Sequence, residues 1–130
     1  MDIVCECETL AGRTPTRVNR VGVGYDIHSK SDKEERLIEV KGVSESWNTY
    51  TWQAMHFTEV DCMKSNPDKF FLYIVYFSIA GERDGIEINK IVPDIFVIPG
   101  ADLLSSKFRL KRGNYSLTPI SRRKLSAYKQ

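Results

Sequence analysis

The 130-residue chain contains no apolar run long enough to cross a bilayer. The longest, Phe70 to Phe77, has eight residues, far below the roughly 18 to 20 that a spanning helix needs. The opening residues, MDIVCECETL, hold three acids and no basic residue. They lack the basic start and apolar stretch of a secretory signal, so the expected location is cytoplasmic and no membrane partner is expected. Cysteine is scarce: Cys5, Cys7 and Cys62. An odd count without a signal fits free thiols in a reducing compartment. Cys5-Glu6-Cys7 has no second cysteine pair to complete a four-ligand zinc set. Repeats and low-complexity tracts are also missing, which excludes solenoids and fibrous classes.

What remains is an ordinary globular composition, 42% apolar and 28% charged, with length for one hydrophobic core. The net charge of +2 hides an asymmetry. From Ser105 onward there are eight basic residues and no acid, so the preceding 104 residues carry −6. A basic end on an acidic body suits a polyanionic partner, or else a solubilising tail.

Residues 2 to 10 read as a short helix broken by Gly12, and Thr14-Pro15 as a cap with a first-turn proline. Val21 to His28 reads as a strand, Ser29 to Glu35 as a turn, and Arg36 to Lys41 as a second strand ended by Gly42. Trp47 to Phe57 reads as a third strand. Thr58 would then cap a helix over Glu59 to Ser65, stopped at Asn66-Pro67. Phe70 to Ile79, apolar except for Ser78, reads as a strand buried on both faces. Gly81 to Gly85 is a loop, and Asp94 to Ile98 a last strand before Pro99-Gly100. The order is α-β-β-β-α-β-β, which implies a mixed sheet with helices against it.

The chemistry lies in the first two strands. If they form a hairpin centred between Asp32 and Lys33, Asp26 faces Glu39, with Cβ atoms roughly 5 Å apart. Lys41, two residues on, projects from the same face. Two opposed carboxylates repel, and a divalent cation would compensate. Mg²⁺ favours one or two carboxylates, several waters and phosphate oxygens. Such an ion lowers the pKa of a bound water, and Lys41 would act on that water and on phosphate charge. Glu-x-Lys also occurs commonly on exposed strands. Here Leu37, Ile38 and Val40 frame Glu39 with apolar residues.

Gly24-Tyr25-Asp26-Ile27, Leu37-Ile38-Glu39-Val40-Lys41-Gly42 and Phe71-Leu72-Tyr73-Ile74-Val75-Tyr76 together resemble the domain family named after the C-terminus of the protein NO VEIN. The resemblance runs from about Glu6 to about Leu104. It implies an α/β fold of the PD-(D/E)XK class, a restriction-endonuclease-like mixed β-sheet core flanked by helices. It also implies a nuclease-like domain over 1–104, followed by a basic C-terminal extension over 105–130. Asp26, Glu39 and Lys41 take the positions of the motif aspartate, glutamate and lysine. A helix before the sheet often supplies another acid in this class. Glu6 and Glu8 are the candidates, and Glu8 is the choice for a third metal ligand. Where the family has an acid followed by tryptophan, this chain has Thr58-Glu59-Val60-Asp61.

The expected activity is Mg²⁺- or Mn²⁺-dependent hydrolysis of a phosphodiester bond, in DNA. The alternative is a catalytically silent module of the same fold that binds nucleic acid or protein. Lys111, Arg112, Arg122, Arg123 and Lys124 are candidates to grip phosphates. Trp47, Tyr50 and Trp52 suit either base stacking or the core. His28 shares the strand face of Asp26 and suits either a ligand role or a surface position; His56 reads as structural. Cutting both strands of a duplex would call for a homodimer.

Overall fold

The computed structural model describes residues 1–19, 22–43, 53–77, 93–111, 116–119 and 126–130. Helix α1 covers Asp2–Leu10. Strands β1 (Thr14–Arg17), β2 (Ile27–Lys30) and β3 (Glu35–Val43) follow. After β4 (Gln53–Ala54) come α2 (Phe57–Ser65), β5 (Phe70–Tyr76) and β6 (Asp94–Pro99). Then come α3 (Gly100–Leu103), β7 (Phe108–Lys111), β8 (Ser116–Pro119) and a 3-10 turn over Ser126–Tyr128.

The main sheet has the order β1-β2-β3-β5-β6, and a second sheet has the order β4-β8-β7. Strands β3 and β5 are parallel; the other pairs of the main sheet are antiparallel. A parallel pair needs a crossover, and α2 lies within it.

Alternation divides the sheet residues between two cores. On the α1 side Val4, Ile27, Ile38, Tyr73, Val75 and Ile95 pack together. On the α2 side Val60 and Met63 meet Phe70, Leu72, Ile74, Phe96 and Ile98. β5 is buried on both faces, as its unbroken apolar run requires. Phe108 is buried in the α2-side core, and Tyr128 packs against it. Residues after Ser105 therefore contribute to the main core.

Several local readings are corrected. Thr14-Pro15 opens a strand, not a helix. That strand is the edge of the sheet, where a residue without an N–H is tolerated. The strand expected over Val21 to His28 begins only at Ile27 and continues to Lys30; Gly22 and Gly24 before it have positive φ. β3 runs through Gly42 to Val43. Helix α2 is capped by His56 rather than Thr58, with a capping box between His56 and Glu59. Phe57 already belongs to that helix, so the third strand reduces to Gln53–Ala54 within the described residues. Trp47, Tyr50, Trp52 and the Gly81 to Gly85 loop lie outside them. All three cysteines are free and half-buried. Among the described residues no helix is long and apolar enough to cross a membrane.

Candidate active site

The hairpin register is the one the polar turn implies: Ile27 pairs with Ile38, His28 with Leu37, Ser29 with Arg36 and Lys30 with Glu35. Extending it by one residue would set Asp26 against Glu39, but the ladder changes there. The Asp26 amide donates to the carbonyl of Ile38, at 2.8 Å, although Ile38 is already paired with Ile27. Two residues thus oppose one, in the manner of a β-bulge, and bulges re-aim side chains. The Asp26 carboxylate turns back over the strand and accepts the Val40 amide at 2.9 Å.

The loop before Asp26 is held against α2. Gly24 has φ +88°, and a Cβ there would lie 2.3 Å from the Thr58 carbonyl oxygen and 2.8 Å from Cys62 Cβ. Only glycine allows both the backbone conformation and the approach. This packing brings the start of α2, with Glu59, to the face that carries Glu39 and Lys41.

Lys41 lies between two carboxylates. Its Nζ is 3.2 Å from Glu39 Oε1 and 3.1 Å from Glu59 Oε1. Glu39 and Glu59 are each 6% exposed. Burial, then the charges of Glu59 and Asp26, push the Glu39 carboxyl up to about 8, against the opposing pull of Lys41. Burial works against the Lys41 ammonium, but Glu39 and Glu59 more than offset it and raise its pKa. Fully ionised, Asp26, Glu39 and Glu59 with Lys41 carry a net charge of −2. A divalent cation would neutralise that surplus, and Asp26 and Glu39 are the hard oxygen donors that could take part in holding Mg²⁺ or Mn²⁺. Among the described residues no three His, Cys, Asp or Glu side chains are grouped to hold a metal by themselves.

Glu8 is not brought to this place. It is 1% exposed on the α1 side of the sheet. Arg13 donates to both of its oxygens, Ser29 Oγ donates at 2.9 Å, and the Tyr73 hydroxyl donates as well. Burial raises the Glu8 carboxyl, but the bonds from Arg13, Tyr73 and Ser29 outweigh it and hold the pKa below the ordinary value. Arg13 also reaches Glu34 at 3.1 Å, and Arg36 donates to the Tyr73 hydroxyl at 2.7 Å. Glu8 therefore belongs to a satisfied buried network. Alternation along β3 puts Ile38 on that side and Glu39 and Lys41 on the other. The alternative N-terminal acid, Glu6, is exposed on α1.

His28 is half-buried, with Nε2 3.6 Å from Glu35. His56 is structural, as the cap of α2. Lys111 ends β7, while Arg112, Arg122, Arg123 and Lys124 lie outside the described residues. Glu59 escaped the sequence reading. Its available signal was its place three residues after a helix cap, where a glutamate also serves as an ordinary capping residue.

The family model described as Protein NO VEIN, C-terminal, matches residues 1–89. The chain belongs to this family. The match takes in Asp26, Glu39, Lys41 and Glu59. Among curated proteins nothing matches. Among solved structures the chain is similar to Hjc, a Holliday junction resolvase from the archaeal hyperthermophile Archaeoglobus fulgidus. Identity is 11%, the TM-score is 0.57, and the alignment covers 100% of this chain and 94% of that one. At that identity the likeness concerns the fold. The chain thus has a mixed α/β fold of the restriction-endonuclease-like class, with a five-stranded sheet flanked by helices.

Proposed function

We propose that the chain is a metal-dependent nuclease that hydrolyses phosphodiester bonds in DNA. The observation that carries this reading is Lys41 held between Glu39 and Glu59 on one sheet face, with Asp26 near enough for its charge to act on Glu39. The likeness to a resolvase supports it at the level of fold.

Hydrolysis adds water to phosphorus, expels an ester oxygen and builds negative charge on the other phosphate oxygens. Asp26 and Glu39 would hold Mg²⁺ or Mn²⁺, which supplies Lewis-acid stabilisation of that charge and a more acidic water. Lys41, charged and 21% exposed, donates hydrogen bonds to the incoming phosphate or to the attacking water. Glu39 accepts from Lys41, and a bound cation would favour its ionised form. Lys111, Arg112, Arg122, Arg123 and Lys124 would track the phosphate backbone, and cleavage of both strands of a duplex would use a homodimer.

The test is cleavage of single- and double-stranded DNA and RNA with Mg²⁺ or Mn²⁺, with an EDTA control. Lys41→Ala, purified in parallel, should bind DNA and cleave about a hundredfold more slowly, the scale of one preorganised group. Equal trace activity in both proteins on every substrate would replace this reading with that of a silent binding module.

A further inference from the structure

We propose that Glu59 is a positioning residue for Lys41, one that keeps the ammonium in place when Glu39 turns to a cation. The proposal deepens the nuclease reading and rests on it.

The two carboxylates at Lys41 are not equivalent. Glu39 lies two residues away on the same strand and shares its surroundings with Asp26, whose charge it feels. Glu59 comes from a different element and divides its oxygens between two tasks. Oε1 accepts from Lys41 at 3.1 Å, and Oε2 accepts the His56 amide at 3.3 Å, closing the capping box of α2. A side chain anchored at one oxygen has already lost its rotamer freedom, so ordering Lys41 at the other costs little further entropy. The anchor is itself fixed, because the preceding residue, Thr58, abuts Gly24.

A cation held by Asp26 and Glu39 would draw electron density from Glu39 and repel the ammonium. Lys41 has a flexible four-carbon stem and would swing towards water unless a second acceptor retained it. Glu59 is that acceptor. The cap alone does not explain a charged residue here: glutamine closes a capping box as well as glutamate does. At 6% exposure, a carboxylate is a costly way to make a hydrogen bond that an amide would make.

That difference supplies the experiment, made on the full chain. Glu59→Gln keeps the cap and removes the charge. Glu59→Asp keeps the charge but is one methylene too short to serve both partners. In ¹⁵N-labelled protein a retained ammonium exchanges slowly enough to give a cross-peak, identified by its loss in Lys41→Ala. The wild type should show it both in EDTA and with saturating Mg²⁺; both Glu59 variants should lose it once Mg²⁺ is added and Glu39 turns to the ion, while keeping a cooperative thermal transition. Mn²⁺ affinity by calorimetry should stay within about threefold, since Asp26 and Glu39 are untouched, while kcat falls about 10- to 100-fold with KM little changed. A persisting cross-peak and wild-type kcat in Glu59→Gln would overturn the proposal and leave Glu59 a cap. Loss of the cross-peak in both variants, with no cleavage by any protein including the wild type, would support the clamp and remove the nuclease reading instead.

Discussion

Replacing Glu8 by glutamine tests whether this acid belongs to the reaction or to the fold. Glutamine has nearly the same shape, so the change removes charge and little volume. Arg13, with its side chain 14% exposed, would lose its main anionic partner and keep Glu34 at 3.1 Å. Removing one member of a buried ion pair typically costs about 3–5 kcal/mol. Glu34 offsets part of that, which places the expected loss near 3 kcal/mol. For a domain of this size that corresponds to a fall in Tm of roughly 10–15 °C. The loss should depend on pH. The Glu8 pKa is held down in the folded state, so its stabilisation is present above the unfolded pKa. It disappears as pH falls through the lower folded pKa. The gap between the two proteins should therefore be full at pH 7 and close in acid. Thermal unfolding against pH, with Mn²⁺ calorimetry at 20 °C, decides the matter. The variant should be less stable yet bind Mn²⁺ like the wild type. Unchanged stability with Mn²⁺ binding abolished would place Glu8 among the ligands and refute the reasoning.

The Glu39 carboxyl, pushed up to about 8, prefers its protonated form in the folded protein, so metal-free stability should fall as pH rises from the ordinary carboxylate range to that value and level off above it. In EDTA at pH 9, Glu39→Gln should be more stable than the wild type by about 2 kcal/mol in urea unfolding, and Mn²⁺ should stabilise only the wild type; the opposite order would count against the crowded site. Gly24→Ala should cost at least about 2–3 kcal/mol, because it combines a positive φ with an overlap on the Thr58 carbonyl, and a neutral outcome in the same assay would contradict the tight loop packing. Neutralising Arg122, Arg123 and Lys124 together should flatten the log–log salt dependence of duplex binding by up to about 0.9 for each phosphate no longer neutralised, read by fluorescence anisotropy; an unchanged slope would remove them from the grip.

The parts of the fold fixed by alternation and burial were legible. Polar residues 31–34 set the hairpin register, and the unbroken apolar run of β5 announced a strand covered on both sides. Other features depended on choices the sequence leaves open. Thr-Pro begins helices and also suits edge strands, and only the sheet order shows which applies at Thr14-Pro15. The bulge at Asp26 changes which groups it bonds without changing the strand pattern around it. The Phe108-Arg109-Leu110-Lys111 alternation is a strand signature that the high positive charge of the segment obscured. Glu39 and Lys41 were legible because they stand on one strand. Their partner Glu59 arrives from a helix eighteen residues after Lys41, through the close approach of Gly24 to that helix.

Two buried acids on opposite faces of one sheet show what distinguishes a site from a scaffold. Glu8 is the less exposed to solvent, yet four donated bonds satisfy its charge and hold its pKa below the ordinary value. Glu39 has a lysine at 3.2 Å, but that lysine is shared with Glu59, and Asp26 adds further repulsion. Burial of an acid therefore does not by itself point to chemistry; an acid whose surroundings fail to satisfy it does. Around Glu39 the chain also breaks other local rules. A glycine is in a left-handed conformation, a ladder is interrupted, and a carboxylate is turned onto a strand amide. Such departures from local consistency persist where function needs them. Here they converge on a face whose carboxylates, when all are ionised, outnumber its ammonium by two, an imbalance that a divalent cation would relieve.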